Sequence, residues 1–160
     1  MSLLMSSQPM SDEGRPLPRR TPVSAPFFDA ARSHRLLLPR CPRDGFFFYP
    51  RTRCPHCLGD DWTWEPASGR GTVHAFTVDR VGHDPAQRSR LPLVVAIVEL
   101  DEGPRLTTNL VGCAPEAVRV GMPVEVVFED LDRETLVLFR AARAESSDSV
   151  SPSLEELSNP

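Results

Sequence analysis

The chain has 160 residues, of which 40% are apolar, and a formal charge of −4 with a pI near 5.6. This length allows one compact domain with a small satellite and excludes two full-sized enzymatic domains. The acidic balance argues against a general nucleic-acid-binding protein, whose surface is usually basic. The sequence contains no apolar run of about 18 residues and its start lacks the features of a secretory signal, so we expect a cytoplasmic protein.

Both ends of the chain are rich in polar residues and poor in apolar ones. Residues 1–22 carry proline, serine and charge, and residues 144–160 carry serine and acid. Such segments cannot bury enough apolar surface to offset the entropy cost of ordering, so we predict disordered tails at both ends. The folded part then divides into an N-terminal unit at 23–66 and a second unit at 67–143.

The first unit begins with a predicted helix of two to three turns. Ser24 is a capping type of residue, Pro26 suits a first helical turn, and the apolar residues that follow recur at helical spacing. Residues 36–38 predict a short strand. Trp62 and Trp64 flank a threonine in the period-two pattern of another strand.

Between these strands, residues 41–57 have the sequence CPRDGFFFYPRTRCPHC. Cys54 and Cys57 have the two-residue spacer that lets two side chains converge on one zinc ion, and Cys41 with Asp44 repeats that spacing with a carboxylate as the second ligand. The nine residues between the pairs suit a hairpin that brings both pairs together. We therefore predict one zinc site on these four residues, and we keep open a metal-free ribbon held by its aromatic side chains.

Short β-rich runs separated by turn residues follow from residue 69 onward. These runs lie at 72–78, 93–100, 105–111, 123–129 and 135–140. Five strands in about 70 residues predict a small barrel. The segment 113–121 lies where an OB barrel carries its connecting helix or loop, which favours an OB-fold over a meander. The predicted fold is mainly β, with a short N-terminal helix, a zinc ribbon and a five-stranded OB-fold barrel.

This order of elements resembles the rubredoxin-like zinc-ribbon plus OB-fold family of bacteria and archaea, formerly a domain of unknown function. The resemblance covers residues 25–142. It depends on PFF at 26–28, on the ribbon sequence above, on GRGTV at 69–73, on LPLVVAIVELDEGPRLTTNLVG at 91–112 and on VRVGMPVEVVFED at 118–130. The family's zinc site has four cysteines, so Asp44 is a departure from its pattern.

The resemblance implies a non-catalytic accessory subunit in a heteromeric complex. Its partner would be a thiolase-fold acyl-CoA enzyme, either a thiolase or a lipid-transfer-protein-like retro-aldolase of lipid or steroid side-chain metabolism. The chain would dock on that catalytic subunit, stabilise it and help to form a CoA path. The residues agree, since His34, His74, His83 and Cys113 lie on different predicted elements and form no nucleophile–base pattern. Catalysis by the chain alone is left uncertain.

Candidate residues for CoA or partner binding cluster around the ribbon. The arginines there suit phosphates or acidic residues of a partner, and a solvated face with intramolecular ion pairs is the alternative. Three consecutive phenylalanines cannot all point to one side of a hairpin, so we expect at least one to be exposed or at an interface. The long connection at 82–90 adds further candidates. The full set is Arg40, Arg43, Phe46, Phe47, Phe48, Arg51, Arg53, His83, Arg88 and Arg90.

A stand-alone module that binds acyl-CoA or single-stranded nucleic acid is the alternative function. OB barrels often bind oligonucleotides through aromatic side chains on a basic groove. Here the predicted barrel strands carry only Phe76, Phe128 and Phe139, while the other aromatic residues concentrate before them. We therefore expect neither nucleic acid nor a membrane as partner.

Overall fold

The computed structural model describes residues 17–82 and 85–143, which form an antiparallel ribbon and a closed barrel. The elements in chain order are α1 Ala25–Arg32, β1 Leu37–Cys41, β2 Gly45–Phe46, β3 Thr63–Pro66, β4 Arg70–Asp79, β5 Leu93–Leu100, β6 Arg105–Leu110, β7 Pro123–Asp130 and β8 Thr135–Ala141. Short 3-10 helices at Pro85–Arg90 and Pro115–Ala117 precede β5 and β7. The predicted fold class is confirmed. Within the described ranges, no helix has the length and apolarity needed to cross a membrane.

Helix α1 begins where the sequence predicted, although its cap differs. Pro26 lies in the first turn, where a missing N–H removes no helical hydrogen bond. Ser24 is the N-cap residue, but its hydroxyl makes no cap bond and instead accepts a hydrogen bond from the Thr21 N–H at 2.9 Å. Ala30 and Ala31 are buried on the inner face of α1.

The ribbon is a three-stranded sheet with β1 in the centre. β1 pairs antiparallel with β2 on one side and with β3 on the other. Gly45 opens β2 with a φ of +79°, a conformation that glycine adopts without the steric cost of a side chain. The chain therefore turns sharply after position 44, which places Asp44 beside the end of β1.

The barrel strands are arranged in the order β4-β5-β6-β8-β7, and β7 pairs with β4 to close the ring. β6 and β8 run parallel and pair at a single position, Leu110 with Phe139. Phe139 is fully buried at the centre of the core. Leu36 and Leu38, at the start of the ribbon, belong to the same core cluster, so the ribbon and the barrel share one hydrophobic core.

Residues 17–22, which we expected in the N-terminal tail, lie against the fold. Arg20 donates hydrogen bonds from Nε and Nη2 to the two carboxylate oxygens of Glu134, both at 2.6 Å, and from Nη1 to Asp29, also at 2.6 Å. Glu134 is only 5% exposed. A buried carboxylate needs a cationic partner, and Arg20 supplies it. The remaining predicted tail residues, 1–16 and 144–160, lie outside the described part.

Candidate metal centre and adjoining cavity

The four predicted metal ligands converge at one end of the ribbon. Cys41 ends β1, Asp44 lies in the following turn, and Cys54 and Cys57 lie in the turn before β3. Their ligand atoms all lie within 4.8 Å of one another. Asp44 Oδ2 is 3.3 Å from Cys41 Sγ and 3.2 Å from Cys54 Sγ, and the sulfurs of Cys41 and Cys57 are 3.5 Å apart.

This spacing fits a tetrahedral zinc ion. Zinc bonds of about 2.3 Å to sulfur and 2.0 to 2.2 Å to oxygen place neighbouring ligand atoms about 3.5 to 3.8 Å apart. Three of the ligand pairs, at 3.2 to 3.5 Å, lie within a few tenths of an ångström of those values, and all pairs lie within 4.8 Å. Three thiols and a carboxylate are all established zinc donors. His56 is exposed, and its backbone N–H lies 3.5 Å from Cys54 Sγ.

The three thiols and the carboxylate of the cluster compete for protons. Hydrogen bonds from the thiols of Cys57, Cys54 and Cys41 hold the pKa of Asp44 below its usual value. The same contact with Asp44 raises the pKa of Cys57 to about 12. The negative charges of Cys57 and then Asp61 raise the pKa of the neighbouring Arg43. A divalent cation held by these four residues would replace these protons, because zinc binds the thiolate form.

The three phenylalanines alternate as predicted, yet none of them is exposed. Phe47 is 4% exposed and packs edge-on against Trp62, with ring centroids 5.7 Å apart. Phe46 and Phe48 point to the other side and pack against the barrel core. The interface that they form is therefore inside the chain. The exposed aromatic residue of this segment is Tyr49, at 50%.

Two of the candidate arginines use intramolecular partners. Arg40 Nη1 lies 3.3 Å from Glu65 Oε1, and its guanidinium lies 5.7 Å from the Phe46 ring centroid. Arg53 donates to the carbonyl of Leu58 at 3.0 Å. For these two the structure favours the alternative of a solvated face with internal pairs.

The remaining candidates for CoA or partner binding differ in exposure. Arg43, Arg51 and Arg88 are exposed. Arg90 is partly buried, and its Nη2 lies 3.5 Å from Glu129 Oε2. His83 lies outside the described residues. Binding by these residues stays a prediction.

A cavity of about 450 Å³ lies between α1, the ribbon and strands β5, β6 and β8. Strands β6 and β8, which both line it, pair at one position only, and the Tyr49 hydroxyl at its wall accepts a hydrogen bond from the Thr107 N–H at 3.3 Å. The walls are mostly apolar: Pro18, Ser24, Phe27, Phe28, Phe48, Tyr49, Pro50, Arg90, Leu93, Leu106, Thr107, Thr108, Asn109, Leu136, Val137 and Leu138. Sequence reasoning named only Phe48 and Arg90 among them, because no local spacing links segments from six parts of the chain.

The described histidines and Cys113 remain apart in the fold. His34 Nε2 lies 2.9 Å from Asp130, and His74 Nδ1 lies 3.8 Å from Glu99. Cys113 is half-buried, and burial raises the pKa of its thiol, which disfavours the reactive thiolate. Within residues 17–82 and 85–143, no side-chain hydrogen bond joins a cysteine or hydroxyl nucleophile to a histidine ring.

Two family models match consecutive parts of the chain. The ChsH2 rubredoxin-like zinc ribbon domain matches residues 28–63, and the ChsH2 C-terminal OB-fold domain matches residues 64–129. The two matches meet between residues 63 and 64, at the start of β3.

Named relatives and a solved structure cover the same region. A probable enoyl-CoA hydratase alpha subunit of Thermomonospora curvata is 42% identical over 80% of this chain, which spans only 40% of that longer protein. A DUF35 domain-containing scaffold protein of Methanocaldococcus jannaschii is 37% identical over 59% of this chain and 68% of its own length. A chain of the Ltp2-ChsH2(DUF35) aldolase structure is 39% identical, with a TM-score of 0.70 over 78% of this chain and 98% of that one.

Proposed function

We propose that this chain, which belongs to the DUF35 family of zinc-ribbon and OB-fold proteins, is a non-catalytic accessory subunit of a thiolase-fold acyl-CoA enzyme. The observation that carries the proposal is the match to 98% of the corresponding chain of an aldolase assembly at 39% identity. A relative that is named as an alpha subunit of an enoyl-CoA hydratase supports the same role.

The geometry of the metal centre supports a structural function for the ribbon within this subunit. We propose that Cys41, Asp44, Cys54 and Cys57 hold one zinc ion, which cross-links the two turns of the ribbon. Four protein ligands complete the usual coordination of a structural zinc ion. Elemental analysis of purified protein should then give one zinc per chain, and a protein that is folded and metal-free after purification without chelators would contradict the site.

The docking surface that we propose is the outer face of β5 and β6 beside the ribbon. The side chains of Tyr49 and Ile97 are 50% and 37% exposed. Both lie next to Thr107, which is opposite Ile97 in the β5–β6 pair and donates its backbone N–H to the Tyr49 hydroxyl. Exposed apolar side chains that lie together are typical of protein–protein interfaces. The cavity opens next to this face. Its apolar walls with few polar groups support a place for the apolar part of an acyl-CoA.

Co-expression with a thiolase-fold protein of the same organism tests the proposal. The two proteins should elute together in size-exclusion chromatography, and turnover of acyl-CoA should require both. Ile97→Asp should weaken the complex, whereas Val120→Asp, at an apolar side chain that is 66% exposed on another part of the surface, is the matched control. A catalytic protein that is stable and fully active alone would count against the proposal.

The alternative is a stand-alone module that binds acyl-CoA through the cavity. It predicts that the isolated chain binds acyl-CoA with no partner present, which isothermal titration calorimetry measures. Binding by the isolated chain together with failure to form any complex would favour this alternative.

A further inference from the structure

Asp44 differs from the other three ligands of the metal centre in two respects. Cys41 and Cys54 are 1% and 0% exposed and Cys57 is half-buried, whereas Asp44 is exposed. Its oxygen is also a harder donor than sulfur, and zinc in a thiolate-rich site prefers soft ligands. The most accessible ligand position of the centre is therefore also the one whose donor atom suits zinc least.

The chain around Asp44 leaves this ligand position open to solvent. Asp44 lies in the turn between β1 and β2, and the next residue is Gly45. A Cβ added to Gly45 would have no heavy atom within 4 Å, so solvent has free access on this side. The contacts that hold the Asp44 carboxylate are those to the thiols of the cluster, at 3.3 Å from Cys41 and 3.2 Å from Cys54. Within the described part of the chain, the Asp44 side chain makes no hydrogen bond to a side chain outside this cluster.

From these observations we infer that Asp44 is an exchangeable ligand and that the zinc centre accepts the thiol of a small external molecule in its place. The inference rests on the zinc site proposed above. In the exchange the bond between zinc and the Asp44 oxygen breaks and a bond between zinc and the external sulfur forms. The thiol releases its proton to solvent, and no electrons are transferred. The protein keeps its three cysteine ligands, so the ribbon stays cross-linked.

Arg43 is placed to offset the charge that this exchange leaves behind. After exchange the centre has four thiolates, and the freed carboxylate of Asp44 adds a negative charge beside them. Arg43 lies over Gly59, where Nη2 would be 2.8 Å from an added Cβ, and it already interacts with the charges of Cys57 and Asp61. Because Gly59 has no side chain, the guanidinium has room beside the cluster.

Cobalt substitution tests the exchange by absorption spectroscopy. Co²⁺ occupies tetrahedral zinc sites, and its sulfur-to-cobalt charge-transfer band grows with the number of thiolate ligands. Addition of 2-mercaptoethanol to the full-length Co²⁺ protein should raise this band by about one third, as three sulfur ligands become four. Asp44→Cys is the matched control. Because all four of its ligands are sulfur atoms of the protein, it has no oxygen ligand to exchange, and its band should not respond.

A second variant keeps the test informative if the Asp44 carboxylate competes strongly with the external thiol for the metal. Asp44→Ala removes the competing ligand, so its cobalt band should respond at lower thiol concentration than that of the unchanged protein. The inference is overturned if neither the unchanged protein nor Asp44→Ala responds, or if thiol removes the cobalt before the band rises.

Coenzyme A in place of 2-mercaptoethanol distinguishes the source of the thiol. A response to both shows a general thiol site, and a response to CoA alone shows that the rest of CoA contributes to binding; either outcome supports the exchange. The test is made on the isolated chain. Its outcome is independent of the proposed function, which the co-elution and turnover experiment tests. If the protein does not take up Co²⁺, the result contradicts the metal site itself.

Discussion

The contact between Arg20 and Glu134 predicts a specific loss of stability when the arginine is removed. Arg20→Met deletes the guanidinium and keeps the apolar stem. Glu134, 5% exposed, then loses two hydrogen bonds of 2.6 Å and retains Arg32, whose Nε lies 3.7 Å away. Breaking a fully buried ion pair costs about 3 to 5 kcal/mol. Because Arg20 is 29% exposed and Arg32 compensates in part, we expect a loss of about 2 kcal/mol in the free energy of unfolding.

The same contact predicts how this loss depends on pH. The hydrogen bond from Arg20 is the main cause that holds the pKa of Glu134 below its ordinary value of 4.5. A depressed carboxyl pKa stabilises the fold above the pKa of the unfolded chain, and this stabilisation disappears as pH falls through the folded-state pKa. The difference between the unchanged protein and Arg20→Met should therefore be full near pH 7 and shrink in acid below pH 4.5.

Urea unfolding followed by tryptophan fluorescence at neutral and acid pH measures both effects. Arg19→Met is the matched control, because Arg19 is the exposed neighbour and should change stability little. Combining Arg20→Met with Glu134→Gln should cost less than the sum of the two single changes, since both remove the same contact. Equal stability of the Arg19 and Arg20 variants, or full additivity in the double variant, would refute the reasoning.

Three further predictions concern the ribbon and the turn before the barrel. Phe47→Ala should cost about 3 to 5 kcal/mol in urea unfolding, because Phe47 is a buried aromatic residue of the ribbon core, and an unchanged midpoint would contradict this. Cys54→Ser should abolish stoichiometric zinc in elemental analysis while Cys113→Ser retains it, and retained zinc in the first variant would exclude the proposed ligand set. Gly69→Ala should lower the thermal midpoint more than Gly103→Ala, because a Cβ at 69 would clash with the Val126 side chain of β7 while the space at 103 is open, and the reverse order would contradict the packing.

The elements that the sequence predicted well are those with a local signal. The spacing of Cys41, Asp44, Cys54 and Cys57 specified the ribbon turns because knuckle geometry depends on a few adjacent residues. Short β-rich runs separated by turn residues specified the five barrel strands for the same reason. The side-chain directions of the phenylalanines also followed from strand alternation, but whether a given face meets solvent or the barrel depends on tertiary packing.

The features that the sequence did not reveal join distant segments. Arg20 and Glu134 are 114 positions apart, and nothing in the polar composition of the first 22 residues identifies one arginine as the partner of a buried acid. The cavity likewise depends on the separation of β6 from β8, which the strand pattern does not specify. In physical terms, composition estimates the mean tendency of a segment to order, while one long-range charged contact is enough to hold it.

The central claim, that the chain acts by docking on a catalytic acyl-CoA enzyme, is tested most directly by reconstitution. The purified thiolase-fold protein that co-elutes with the chain should show low turnover of its acyl-CoA substrate when alone, and adding the purified chain should raise turnover until a fixed stoichiometric ratio is reached. Ile97→Asp should shift that titration to higher concentration, and Val120→Asp should leave it unchanged. A turnover rate that is high without the chain and unaffected by its addition would contradict the account.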